Sequence, residues 1–258
     1  MIVRKTPEQV DQMAAAGEIL VRCLHMLVAK ARPGVTTKEL DLAAEKLIRS
    51  HGAEPAFKGY RGFPASICAS PNSMVVHGIP GHYELKRGDI LSVDVGVIKD
   101  GWVADAAMTV PIGSIGPEAR KLLEVTKGAL FAGVEQMQPG NRLGDVSAAI
   151  QRAVEIEGLS IIRTLVGHGI GREMHEAPHV PNEGRAGRGL VLRPGLVLAL
   201  EPMLISGGTD AYRTDPDGWT LRTADGSRAA HIEHTVAVSE NGPQVLTQPA
   251  RTRAVRLC

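Results

Sequence analysis

The sequence predicts an α/β protein made of two similar halves that face each other across one cleft. Three observations predict it. Helices recur at a fixed offset, since Pro33 to Gly52 and Pro139 to Gly158 span the same distance and a shift of 106 lays Gly34 on Gly140, Ala43 on Ala149 and Ile48 on Val154. An apolar strand closing on an acid recurs too: RGDILSVD, ending at Asp94, superposes on PGLVLALE, ending at Glu201. Finally, the stretch SVDVGVIKDGWVADAAMT from Ser92 to Thr109 reads as two β-rich runs around turn residues, with acids where a core strand should be apolar.

Composition bounds the answer further. The chain of 258 residues is 43% hydrophobic and 22% charged, ordinary for a soluble globular protein of one large domain or two small ones. A net charge of +1 provides no basic field for a phosphate backbone, so nucleic acid is not expected as a direct partner. Cys23, Cys68 and Cys258 are odd in number and form no C-x-x-C pair, which fits a reducing compartment. The start, MIVRKTPEQVDQM, turns polar after three residues and reads as neither secretory signal nor membrane span; the expectation is a cytoplasmic protein that does not engage a membrane.

The elements follow in order. Thr6-Pro7-Glu8-Gln9 is a capping box with proline at the first helical position, and Val10, Met13, Ala14, Leu20, Leu24 and Leu27 continue a helix ended by Pro33-Gly34. Thr36 to Glu39 is a second capping box, and Leu40, Ala43, Ala44, Leu47 and Ile48 give the next helix its buried stripe before Gly52. If Asp100-Gly101 is the hairpin loop, Lys99 pairs with Trp102, Asp94 lies opposite Ala107, and Asp105 lies opposite Gly96. The two acids then share a face as diagonal neighbours about 7–8 Å apart; a three-residue loop would throw them onto opposite faces. Gly116-Pro117-Glu118 opens a third helix running to Pro139-Gly140, and a fourth covers Asp145 to Gly158.

Two carboxylates converging inside a sheet repel each other unless a cation sits between them, the plainer reading being a hairpin with its acids at the wet end. Three further places add to the pair. LVGHGIGREMHEAP holds His168 and His175 among glycines that lack the G-x-G-x-x-G order of a dinucleotide loop, and that let backbone pass closely while turning imidazoles inward. Glu201 closes the run LVLAL, where Pro202 stops the ladder. In His231 to Val238 the alternation puts Ile232, Val236 and Val238 on one side and Glu233 and Thr235 on the other, aiming Glu233 into the cleft. Four acids and one histidine make an oxygen-rich site suited to two ions such as Mn²⁺, Fe²⁺, Co²⁺ or Zn²⁺, between which a hydroxide is a nucleophile at neutral pH.

The motifs NSMVVHGIP, VDVGVIKDGWVAD, GHGIGREMHE, LEP and IEHT, in this order and over nearly the whole chain, resemble the methionine aminopeptidase family in its short bacterial type I form. The resemblance implies the pseudo-two-fold pita-bread fold, with helices outside a central antiparallel sheet, in one catalytic domain over residues 1–258 with halves of about 1–110 and 111–258. It implies Asp94, Asp105, His168, Glu201 and Glu233 as ligands of a dinuclear site, Asp105 and Glu233 bridging. It also implies His175 as the group stabilising the tetrahedral carbonyl oxygen, His77 as a histidine contacting substrate backbone, and Glu201 as proton shuttle. Tyr60, Phe63, Cys68, Met174 and Trp219, with His77 and His175, match the substrate pocket, where a thioether packs well on aromatic edges.

The implied activity is removal of the initiator methionine from nascent chains with a small second residue, by a monomer at or near the ribosome exit. Met174 stands where an aromatic residue is usual, and the cysteine-rich ribosome-docking segment of longer eukaryotic relatives has no counterpart. A proline-specific peptidase or a metal-free binding protein on the same fold are the competing expectations.

Overall fold

Residues 2–248 are described by the computed structural model, so the expectation for Cys258 falls outside the described residues. Helix α1, Pro7–Lys30, starts at the expected box: the Gln9 N–H donates to Thr6 Oγ1 and the Thr6 N–H to Gln9 Oε1. Helix α2, Thr37–Ser50, repeats the device with Thr36 and Glu39. By length and composition α1 could cross a membrane; here Leu20, Leu24 and Leu27 are instead buried in the core shared with α2. Helix α3 is Pro117–Glu135, ending short of the expected Pro139-Gly140, because the Gln136 N–H turns back to the Gly133 and Val134 carbonyls. Helix α4, Leu143–Glu155, begins two residues before Asp145, whose carboxylate accepts the Arg142 N–H and caps it.

The hairpin forms as expected, from Ile90–Lys99 and Trp102–Pro111, with every expected pair in place, including Lys99 with Trp102, Asp94 with Ala107 and Gly96 with Asp105. Asp100 and Gly101 have φ of +50° and +74°, the mirror-image turn whose twist matches the strands it joins. Alternation then divides the labour. Leu91, Val93, Val95, Val97, Ala104 and Ala106 join the core with α1 and α2, each large side chain contributing about 1.5–3 kcal/mol of burial. Ser92, Asp94, Asp105 and Thr109 face the other way.

The second half has a five-stranded antiparallel sheet ordered Gly242–Val245, His234–Ser239, Val197–Leu200, Gly167–Gly169, Glu176–Val180. Leu198, Leu200, Val236 and Val238 share a core with Leu122 and Leu130 of α3 and Val146 and Ile150 of α4. The repeat shows in the backbone: Gly34 and Gly140 have φ of +89° and +94°, Gly88 and Gly195 +95° and +87°. The expected strand from His231 to Val238 is broken. Ala229–His231 pairs with Met203–Ile205 and His234–Ser239 with Val197–Leu200, leaving Ile232 and Glu233 between two sheets.

That break lets the halves join along a seam. Thr235 Oγ1 donates to the Asp105 carbonyl and accepts the Asp105 N–H, at 2.7 and 3.0 Å. The Glu233 N–H donates to the Ala107 carbonyl at 2.9 Å. Thr109 Oγ1 donates to the His231 carbonyl and accepts the His231 N–H, at 2.7 and 2.8 Å. Two threonine hydroxyls thus flank that one backbone hydrogen bond and satisfy the N–H and carbonyl groups of Asp105 and His231.

Candidate metal centre

Along the seam, the inward faces of both halves bring four carboxylates and two imidazoles together. His168 Nε2 lies 3.6 Å from Glu201 Oε1 and 3.9 Å from Asp105 Oδ2. His231 Nε2 lies 3.5 Å from Glu201 Oε2 and 3.9 Å from Glu233 Oε2. Asp105 and Glu233 are buried, while Asp94 and Glu201 keep a partial opening to a cavity of about 170 Å³. His168 Nδ1 sits 2.9 Å from the Gly169 carbonyl, so Nδ1 carries the proton and the Nε2 lone pair points at the acids.

Such a cluster is unsatisfied by the chain alone. Asp94 Oδ1, Asp105 Oδ1, Glu233 Oε1 and His231 Nε2 are buried without a hydrogen-bond partner, a cost of about 1–3 kcal/mol for each neutral group and more when charged. Burial pushes Asp94 and Glu201 up to about 7. Burial, and then the neighbouring acids, hold Asp105 and Glu233 well above the usual carboxylate range. Orphaned oxygens, an available imidazole nitrogen and separations of 3.5–3.9 Å between donor atoms fit a divalent cation, whose ligands at about 2.0–2.2 Å lie roughly that far apart. Two triads answer the description, Asp105-His168-Glu233 and Glu201-His231-Glu233, sharing Glu233.

The remaining residues singled out in the sequence take their places around the cavity. Tyr60, Phe63, Cys68, His77, His175 and Trp219 line it. The His175 ring centroid lies 4.2 Å from that of His168, the rings tilted at 40°, and its Nδ1 is 3.0 Å from the Tyr60 hydroxyl. Trp219 meets Phe63 edge-on at 5.2 Å and His77 at 6.4 Å. Burial brings both His77 and His175 down to about 4, so both are neutral at pH 7. The Cys68 thiol is pushed up by burial and by Asp94, which keeps it protonated. Met174 is buried in the cluster that holds Phe57, Phe63 and Cys68, and its methyl and the Phe57 ring close over Gly96.

Three residues escaped the sequence reading. His231 falls on the same alternating side as Glu233 and Thr235, so the strand period that aimed Glu233 inward contained the signal. Phe57 and Arg61, which also line the cavity, sit in an irregular segment with no period to read. The glycines of GHGIG serve a purpose nearer home than a ligand: a Cβ on Gly167 would strike the Ala199 carbonyl, and one on Gly169 the Ala177 carbonyl, of adjacent strands.

The sequence profile of metallopeptidase family M24 matches residues 11–240. A methionine aminopeptidase of Clostridium perfringens is 52% identical over 247 residues, covering 96% of this chain and 99% of its own. The crystal structure of methionine aminopeptidase from Rickettsia prowazekii superposes with a TM-score of 0.94 at 39% identity, over 96% of this chain and all of that one. Prolidase from Pyrococcus furiosus, at 23% identity and a TM-score of 0.78, shares the fold over 96% of this chain and 66% of its own.

Proposed function

The chain belongs to metallopeptidase family M24, among the methionine aminopeptidases of the pita-bread fold, and we propose that it carries out its metal-dependent removal of N-terminal methionine with two divalent ions held by Asp94, Asp105, His168, Glu201 and Glu233. The observation that carries the two-ion reading is the set of orphaned buried oxygens on three of those side chains. Cobalt, manganese, iron or zinc would suit this oxygen-rich set with one nitrogen. Such ions, when bound, polarise the scissile carbonyl and lower the pKa of water.

The chain's own groups supply the rest. Being neutral at pH 7, His175 and His77 act as N–H donors rather than as cations: His175 toward the carbonyl oxygen as it gains charge, His77 toward substrate backbone. Glu201, held by burial at about 7, can take a proton and pass it to the leaving amine. Asp94 opens to the cavity, where it is placed to favour a free α-amino group, and a blocked terminus would lose that partner. The cavity of about 170 Å³ falls below the ~300 Å³ at which sites for whole small molecules begin. It therefore takes one side chain, and Tyr60, Phe63, Cys68 and Trp219 offer a thioether soft, aromatic walls. The reading takes substrates whose second residue is small.

The same reading takes residues 1–258 as one catalytic domain with halves of about 1–110 and 111–258, working as a cytoplasmic monomer on nascent N-termini near the ribosome exit. Purified protein with Mn²⁺ or Co²⁺ should release methionine from Met-Ala and Met-Gly peptides and spare X-Pro peptides and acetylated Met-Ala. Failure on the first pair under saturating metal would sink the assignment of the site.

A further inference from the structure

The arm ahead of α1 carries a lysine that the reaction does not use. Lys5 is buried, its side chain 2% exposed, and Nζ lies 2.7 Å from Glu176 Oε2. A strongly hydrated ammonium is buried only where its partner and surroundings are arranged for it. Here two glycines clear the space. A Cβ on Gly195 would strike the Lys5 carbonyl, and one on Gly171 would strike Lys5 Cε and Glu176 Oε1. The Lys5 N–H donates to the Gly195 carbonyl at 2.7 Å, fastening the arm in this slot.

Glu176 turns its other oxygen on the loop before it. Oε1 accepts the Arg172 N–H at 2.8 Å and the Glu173 N–H at 3.3 Å. Residues 170–175 have no regular secondary structure, and His175 is the last of them. The loop's far end is held by the hairpin: the Val103 N–H donates to the Gly171 carbonyl at 2.9 Å, the Arg172 guanidinium lies 3.9 Å over the Trp102 ring, and its Nη1 donates to the Asp100 and Gly101 carbonyls. The hairpin and the Lys5–Glu176 pair therefore both hold the start of the histidine-bearing loop, and Glu176, next in sequence to His175, ties that start to the loop's end.

We propose that Lys5 is a positioning residue for His175, its buried pair with Glu176 fixing the irregular loop so that the imidazole stays stacked on Tyr60 and against His168. The inference rests on the role given to His175 above. An isolated stabilising contact would need neither the two carved glycines nor the two loop N–H groups gathered on the partner's second oxygen.

The test compares Lys5→Met, His175→Ala and the double variant as metal-loaded enzymes on a Met-Ala tripeptide, with metal affinity measured separately by calorimetry. Displacing a catalytic group by an ångström costs on the order of 100-fold, so Lys5→Met should lower kcat by roughly 10- to 100-fold, with KM and metal affinity within about threefold of the parent. Added to His175→Ala it should lower kcat no further, since the group it positions is gone. Glu176→Gln, which keeps an oxygen for the loop N–H groups, gives a second way to break the pair if Lys5→Met folds poorly, and should show the same pattern. Unchanged kcat in Lys5→Met and Glu176→Gln, or an equal drop on the His175→Ala background, overturns the inference while leaving the role of His175 intact. Normal kcat in His175→Ala itself overturns that role and the inference with it.

Discussion

The two halves bring acids to the same cluster by opposite means. In the first, Asp94 and Asp105 sit inside an unbroken ten-residue ladder, and alternation alone turns them inward. In the second, both acids sit where a ladder fails: Glu201 falls between Val197–Leu200 and Met203–Ile205, and Glu233 between Ala229–His231 and His234–Ser239. Their backbone groups are caught from elsewhere, the Glu233 N–H by Ala107 and the Glu201 carbonyl by Asn182 Nδ2. A repeat can thus keep its acids in register while changing what holds them, because the cluster constrains carboxylates and leaves the backbone free to be satisfied by any partner.

If the halves contribute equally despite that difference, Asp105→Asn and Glu233→Gln should each lower activity by more than the 10–100-fold typical of an outer-shell partner. Each should also raise the melting temperature of the metal-free protein, because a buried carboxyl held well above its usual range is relieved. A large effect from one half alone, in steady-state assays across a metal titration, would break the symmetry.

The seam gives the next largest effect. Thr235→Val removes the hydroxyl that both donates to and accepts from the Asp105 backbone, and should cost about 1–3 kcal/mol in urea unfolding. Thr109→Val, which strips the equivalent clasp from His231, should cost about as much. A loss below about 0.5 kcal/mol for either would mean that water replaces the clasp.

Acidity sharpens the contrast further. Asp94 and Glu201 hold protons up to about 7 in the metal-free fold, so binding a cation expels protons. Metal-induced stabilisation should therefore shrink as pH falls through 7, by up to about 1.4 kcal/mol per unit for each proton released. His168, lowered by burial, is already neutral there and releases none. For the metal-free fold the signs oppose. Carboxyls raised on folding contribute stability that is lost as pH rises toward 7, whereas the lowered imidazoles of His77 and His175 contribute stability gained from about 4 upward, complete by the unfolded value of about 6.5. Melting curves from pH 4 to pH 8, with and without Mn²⁺, read both; metal stabilisation independent of pH would deny the proton release.

The smallest effect belongs to the turn. Gly101→Ala asks φ of +74° of an L-residue and sets its Cβ 2.6 Å from Arg172 Nη1, which should cost about 1 kcal/mol. No loss in thermal unfolding would mean that the turn is not what sets the register.

Much of this was legible in the chain because the signals were local. Two capping boxes began α1 and α2, and Asp100-Gly101 specified a two-residue loop, which puts Asp94 and Asp105 on one face. The broken strand at Ile232-Glu233 was not legible, since HIEHTVAV alternates well enough for one strand; only the second half's docking on Ala107 and Thr109 divides it. His231 was overlooked although the alternation that aims Glu233 inward puts it on the same side; its meeting with Glu201 depends on where that break falls.

By itself the sequence determined where the helices lie, how the hairpin turns, and that acids recur at matching strand ends, all consequences of caps, turn residues and period-two alternation acting within a few residues. Only the tertiary structure decided that these acids share one unsatisfied cluster with His168 and His231, that threonine hydroxyls stitch the halves, and that a lysine near the N-terminus braces the loop before His175. Those outcomes depend on close approach between segments from about thirty to more than a hundred residues apart, where space and unpaired polar groups, rather than local propensity, choose the neighbour.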